Sequence, residues 1–381
     1  VHSNPISVLI CDDSALMRNL IGRIIEADPE LTLAGKAMNG KFALEKVERL
    51  DPDVMVLDLE MPEMNGIDFL KERKERGIKT PVVILSSHAH KGAEITMEAL
   101  NWGASDFIMK PSSGPDQDLK KVGELLTQTL KAYGRQHRAE CHGEQKTAEP
   151  TPGNRWSSPP PSSSSTAAPP RKEVKTVPRA APPRKPSTGK IDVVALGIST
   201  GGPNALREVF ARIDPDLPVP ILVVQHMPAG FTKEFASSLN RICPLEVKEA
   251  EEGDILKKGR ILVARGDRHL VVEKKRLAAI CRLSDAPLRS GHRPSADVLF
   301  ESVAAAYGGN SLAVIMTGMG KDGATEIGQI FREGGITIAQ DEPSSVVYGM
   351  PRVAYENGFI DHVVSLSQMA ETIGRIVAEN N

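Results

Sequence analysis

Serine, histidine and aspartate each follow a short apolar run in the second half of this 381-residue chain. VVALG leads to Ser199, PILVV to Gln225-His226-Met227-Pro228, and LAVIM to TGMGKDG with Asp322. A serine hydroxyl is a poor nucleophile at neutral pH, so a neutral imidazole must take its proton. A carboxylate behind the imidazole fixes its tautomer and stabilises the cation that forms, which is the chemistry of acyl transfer. The first half carries a second constellation: Asp12-Asp13 after ISVLIC, Asp58 after VMVL, Ser86 after PVVIL and Lys110 after DFIM. Three carboxylates brought together repel one another unless a hard cation bridges them, and Mg²⁺ with oxygen ligands suits that task. A carboxylate beside Mg²⁺ and a lysine can attack a phosphoryl donor, because the cations neutralise the developing charge.

Both constellations require elements that gather strand ends. The apolar runs alternate with segments of helical spacing, such as SALMRNLIGRIIEA, NALREVFARI, FTKEFASSLN and GATEIGQIFREGG. That alternation predicts parallel sheets covered by helices on both faces, with the strand carboxyl ends along one edge. The fold class is therefore α/β, with two doubly wound domains. Ser199 sits in KIDVVALGISTGGPNAL, at a strand-to-helix turn where Pro203 suits the first helical turn. Gly197-x-Ser199-x-Gly201 fits the GxSxG elbow, but the order Ser…His…Asp differs from the Ser…Asp…His of the α/β-hydrolases. Taken singly, a serine like Ser199 is more often a phosphate cradle or cap and a histidine like His226 more often structural, while Asp322 reads as a turn residue or cap. Asp12, Asp13 and Asp58 read singly as helix caps or loop acids. His269, beside the Gly266-Asp267 turn between two expected strands, His292 in a loop and His362 near the C-terminus are weaker candidates.

The residues divide into domains at 1–133 and 190–381, joined by 134–189. In the joining stretch, PTPGNRWSSPPPSSSSTAAPPRKEVKTVPRAAPPRKP cannot bury a core and reads as a disordered, partly polyproline tether. Its basic second half reads as solvated linker charge rather than as a docking segment. The formal charge of -2 gives no electrostatic case for nucleic acid. No apolar run approaches the roughly 20 residues of a membrane span. Residues 1–10 lack the build of a secretory signal. Cys11, Cys141, Cys243 and Cys281 are widely spaced, which fits reduced thiols in a cytoplasm.

ICDDS, VLDLEMPEMNG, ILSS and FIMKP, over residues 6–130, resemble the receiver domain of two-component response regulators. The resemblance implies a flavodoxin-like fold with Asp58 as phosphoacceptor. It implies Asp12, Asp13 and the Glu60 backbone carbonyl as Mg²⁺ ligands, with Ser86 and Lys110 on the phosphoryl group. Phe107 falls where that family places an aromatic that changes rotamer on activation, and the Lys110–Pro111 bond where it keeps a cis peptide. GISTGGP, QHMP, GDRHL, HRPSADVLF, TGMGKDG and SVVYGMP, over residues 191–378, resemble the catalytic domain of the chemotaxis protein-glutamate methylesterases. This implies a Rossmann-like esterase domain with Ser199 as nucleophile, His226 as base and Asp322 as its orienter. The Met319 backbone N–H would serve the oxyanion, Thr200 would line the site, and no cofactor would be needed there. The resemblance further implies methyl-accepting chemoreceptors as substrates, receptor glutamine deamidation as a second activity, and a chemotaxis histidine kinase as phosphodonor. Two rivals remain: a non-enzymatic phosphorylation-dependent binding module, and a transcriptional regulator with a C-terminal helix-turn-helix. The second is disfavoured because VVSLSQMAETIGRIVAENN reads as one amphipathic helix.

Overall fold

Continuous apolar runs become buried strands, and the polar residues that end them gather along sheet edges. The computed structural model describes residues 4–86, 90–110, 116–144, 182–187 and 189–381. The first domain runs β1 (Ile6–Cys11), α1 (Ala15–Glu26), β2 (Leu31–Ala37), α2 (Gly40–Leu50), β3 (Val54–Asp58), α3 (Gly66–Glu75), β4 (Val82–Ser86), α4 (His90–Asn101), β5 (Asp106–Met109) and α5 (Asp116–Glu144). Its five strands pair in parallel in the order β2-β1-β3-β4-β5, the flavodoxin-like arrangement. Ser14 caps α1 by accepting from the Met17 N–H. The expected Lys110–Pro111 cis bond lies outside the described residues.

Two boundaries differ from the sequence reading. Helix α5 continues past Tyr133 to Glu144 because its later turns still find partners. Arg138 forks onto Asp53 at 2.6 Å and donates to the Asn4 and Pro5 carbonyls. At the other end of the joining stretch, residues 182–187 lie against the second domain. Arg184 pairs with Asp361 at 2.5 Å and stacks over Phe331, and Lys185 pairs with Glu333 at 2.6 Å. These basic residues, read as solvated from sequence, thus meet acidic ones.

The second domain runs β6 (Val193–Ile198), α6 (Gly202–Phe210), β7 (Ile221–Gln225), α7 (Phe231–Asn240), β8 (Glu246–Glu249), β9 (Arg260–Val263), β10 (His269–Lys274), β11 (Ala279–Ser284), α8 (Ala296–Tyr307), β12 (Ser311–Ile315), α9 (Ile327–Arg332), β13 (Ile336–Gln340), α10 (Met350–Glu356), β14 (His362–Val364) and α11 (Leu366–Glu379). Seven strands pair in parallel in the order β14-β13-β12-β6-β7-β9-β8. Val194 and Leu196 on β6 face one apolar core, and Val193 and Ala195 face the other, as a doubly wound sheet requires. The strands flanking Gly266-Asp267 do not form a hairpin. β9 belongs to the main sheet, whereas β10 pairs antiparallel with β11. The chain reverses direction across the sheet at β6, between β7 and β12, and such a switch point opens a ligand crevice at the strand carboxyl ends. The C-terminal stretch is β14 and a single helix, α11, which buries Met369, Ile373, Ile376 and Val377.

Candidate active site

Ser199 directly follows β6. Its N–H donates to the Thr317 carbonyl at 3.0 Å, and its own carbonyl accepts from Gly202 N–H at 2.7 Å, which fixes a tight strand-to-helix turn. The two glycines are required there. Gly201 takes φ 79°, and a Cβ at Gly202 would lie 1.9 Å from the Gln225 Oε1. Gln225 ends β7 and donates its amide to the Ser199 and His226 carbonyls, tying the two strand ends together. Gly318, after β12, brings its backbone against Ser199, since a Cβ there would lie 2.8 Å from Ser199 Cβ.

The three expected side chains meet. His226 Nδ1 lies 3.0 Å from Ser199 Oγ, and its Nε2 lies 2.7 Å from Asp322 Oδ2. An ionised carboxylate only accepts, so Nε2 carries the proton and Nδ1 offers its lone pair to the serine hydroxyl. The imidazole is therefore turned end for end relative to the serine protease arrangement, where Nε2 faces the serine. Asp322 is 1% exposed. Burial alone would raise its pKa, but donors from His226, Ser295 and Ala296 hold it well below the usual carboxylate range. Ser295 Oγ donates at 2.6 Å, and the Ala296 and Asp297 N–H groups, at the start of α8, donate at 2.6 and 3.2 Å. The carboxylate thus occupies a helix N-terminus, where orphan N–H groups and the helix dipole favour negative charge.

Ser295 and Arg293 had no assignable role in the sequence. Ser295 completes the Asp322 shell, and Arg293 braces the preceding loop by pairing with Asp267 at 2.6 Å and donating to the Asp285 and Ala286 carbonyls. The signal available was Pro-Ser just before an apolar helical run, which reads as a helix start. Nothing in it says which carboxylate the helix would face. Thr200 lines the same cavity as Ser199, whereas Met319 lines the neighbouring cleft beside Val347 and Tyr348. Of the weaker histidines, His269 is buried with Nε2 3.1 Å from the Pro287 carbonyl, and His362 begins the edge strand β14. His292 stacks face to face on His226.

In the first domain, Asp12, Asp13 and Asp58 bring carboxylate oxygens within 4.8 Å of one another. Lys110 Nζ lies 2.7 Å from Asp58 and 3.1 Å from Asp12. Burial raises the Asp58 pKa, and Lys110 opposes that rise. Asp12 is buried, and its Oδ2 is the atom that faces Lys110 Nζ. Three carboxylates this close, with a single lysine between two of them, form a donor set that fits a divalent cation with oxygen ligands. The Ser86 hydroxyl lies 2.7 Å from that of Thr96.

The two sites are joined by a domain interface. Asp106, at the start of β5, accepts from the Gly201 N–H at 2.8 Å, two residues beyond Ser199. Asn204 donates to the Ala104 and Ser105 carbonyls, and Arg207 reaches Asn101. Phe107 stacks on Phe231 with centroids 5.1 Å apart. The cavity over Ser199, about 360 Å³, is walled on one side by Phe107, Ile108, Met109 and α5.

The CheB methylesterase family matches residues 194–373, and the response regulator receiver domain matches residues 8–122. A Treponema denticola protein-glutamate methylesterase/protein-glutamine glutaminase is 58% identical over 97% of this chain and 98% of its own length. The chain belongs to the CheB methylesterase family. A Treponema pallidum protein of the same description is 48% identical over 98% of each chain. The crystal structure of the Thermotoga maritima CheB methylesterase catalytic domain is 37% identical over 49% of this chain and 100% of that one, with a TM-score of 0.48. This chain carries its receiver and catalytic domains in one polypeptide.

Proposed function

We propose that this chain hydrolyses γ-methyl glutamate esters on chemoreceptors, under the control of phosphorylation at Asp58. The observation that carries the reading is the continuous hydrogen-bonded chain from Ser199 through His226 to Asp322. Ser199 Oγ attacks the ester carbonyl as His226 Nδ1 takes its proton, and Asp322 stabilises the imidazolium. His226 returns the proton to the leaving methoxide, so methanol departs and an acyl-enzyme remains. Water, deprotonated by the same nitrogen, then releases the glutamate carboxylate and restores Ser199. The Met319 N–H serves as oxyanion donor and Thr200 lines the pocket. A glutamine amide presents the same carbonyl with ammonia as leaving group, so deamidation follows from the same steps.

Asp58 accepts the phosphoryl group from a histidine kinase, with Lys110 beside it and Ser86 moving onto the new oxygens. Asp12, Asp13, Asp58 and the Glu60 carbonyl would hold Mg²⁺, which when bound neutralises charge on the transferred group. The receiver wall over the 360 Å³ cavity excludes a receptor helix. Phosphorylation therefore acts by shifting the population towards an undocked state. Among the described residues no helix is long and apolar enough to cross a membrane, and we place the protein in the cytoplasm, on the receptors' cytoplasmic segments. Methanol release from methylated receptor, with and without acetyl phosphate, tests the reading. Stimulation is expected in the full chain, and its absence in Asp58→Asn.

A further inference from the structure

His292 lies in the loop before α8 and lays its ring on that of His226. The centroids are 3.8 Å apart and the planes 9° from parallel. The loop that carries it is built, not loose. Arg289 and His292 exchange backbone hydrogen bonds at 3.1 and 2.9 Å, Ser290 Oγ donates to Asp297 at 2.6 Å, and Arg293 is braced on Asp267. The same ring lines the cavity that holds Ser199. Burial, and then the neighbouring His226, lower the His292 pKa to about 4, with Asp322 opposing. His292 is therefore neutral near pH 7.

Two in-plane hydrogen bonds hold His226 at Nδ1 and Nε2, but neither resists a tilt about the line joining those atoms. A ring pressed on the face does. When His226 takes the serine proton, the new imidazolium lies over a neutral π-face, an attraction absent from the resting state. A second cation 3.8 Å away would oppose that step, and the depressed His292 pKa removes it. We propose that His292 is a positioning residue that clamps the His226 imidazole in the plane joining Ser199 to Asp322 and favours its imidazolium during acyl transfer. The proposal rests on the Ser199–His226–Asp322 reading.

The test measures kcat and KM for methanol release from methylated chemoreceptor membranes. It uses the full chain and saturating acetyl phosphate, with His292→Leu, His292→Phe and Ser199→Ala beside the unsubstituted protein. Loss of the stacked face in His292→Leu should lower kcat about tenfold with little change in KM, and the flat ring of His292→Phe should restore most of it. Wild-type kcat in His292→Leu overturns the proposal. A second readout does not depend on fitting a larger ring. In ¹⁵N spectra His226 should hold one Nε2–H tautomer in the unsubstituted chain and lose it in His292→Leu; an unchanged His226 signal overturns the clamp. Ser199→Ala separates the two claims. If it is inactive while His292→Leu is normal, only the clamp fails; if it turns over, the triad itself fails.

Discussion

Asp322 accepts from His226, Ser295, Ala296 and Asp297, and each donor favours its ionised form. Asp322→Asn turns an acceptor into a partial donor facing Nε2 and forces the other tautomer, which leaves Nδ1 protonated against Ser199. The expected loss in kcat is about 10³–10⁴-fold, read as methanol release from methylated receptor. Ser295→Ala removes one hydroxyl from a buried carboxylate but keeps the two backbone donors. A hydrogen bond to a charged group is worth about 1.5–3 kcal/mol, so kcat should fall roughly 10- to 100-fold with KM retained. Ser199, His226 and Asp322 were legible in the sequence because each stands just beyond an apolar run, and parallel strands bring such ends together. Ser295 was not, and His292 stood only as a weaker candidate. They come from the irregular segment before α8, where no periodicity marks which neighbour a side chain will face.

At the scale of elements, β5 meets the start of α6 through Asp106 and the start of α7 through Phe107. Burial raises the Asp106 pKa to about 6, against donors from Gly201, Phe107 and Tyr133. Its pKa in the folded chain exceeds the ordinary value of 3.8, so the folded state carries extra protonation between about pH 4 and 6. That contribution is complete below the ordinary value and is lost as pH rises through about 6. The stability that the unsubstituted protein holds relative to Asp106→Asn, read from denaturant unfolding, should therefore fall across that window; a difference that does not change with pH would contradict it. Phe107→Ala removes the stack on Phe231, worth about 0.5–1.5 kcal/mol beyond its buried area, and should raise basal, phosphodonor-free turnover by roughly 2- to 10-fold. The central strands β1, β3, β4, β6, β7 and β12 were legible because burial on both faces demands unbroken apolar runs. The edge strands β2, β8 and β14 were passed over because one face stays wet and polar residues interrupt the run. The Phe107–Phe231 contact had no signature at all, since it pairs residues from separate domains.

At the scale of the whole molecule, the receiver domain lies across the mouth of the Ser199 cavity, where Asp106, Asn204 and Arg207 make polar contacts between the two domains. The size of control is bounded by how much better the phosphorylated receiver fits the open state than the closed one. A chain beginning at Pro182 keeps the Arg184 and Lys185 anchors to Asp361 and Glu333 but loses the wall. It should turn over without a phosphodonor and ignore acetyl phosphate; equal stimulation of this fragment and the full chain would contradict control by docking. The most direct test of the account is to trap the acyl-enzyme. With methylated receptor and acetyl phosphate, rapid quenching and peptide mass spectrometry should find receptor glutamate esterified to the peptide containing Ser199, in an amount that rises when deacylation is slowed. Methanol release by Ser199→Ala, or an adduct on any other residue, would contradict it.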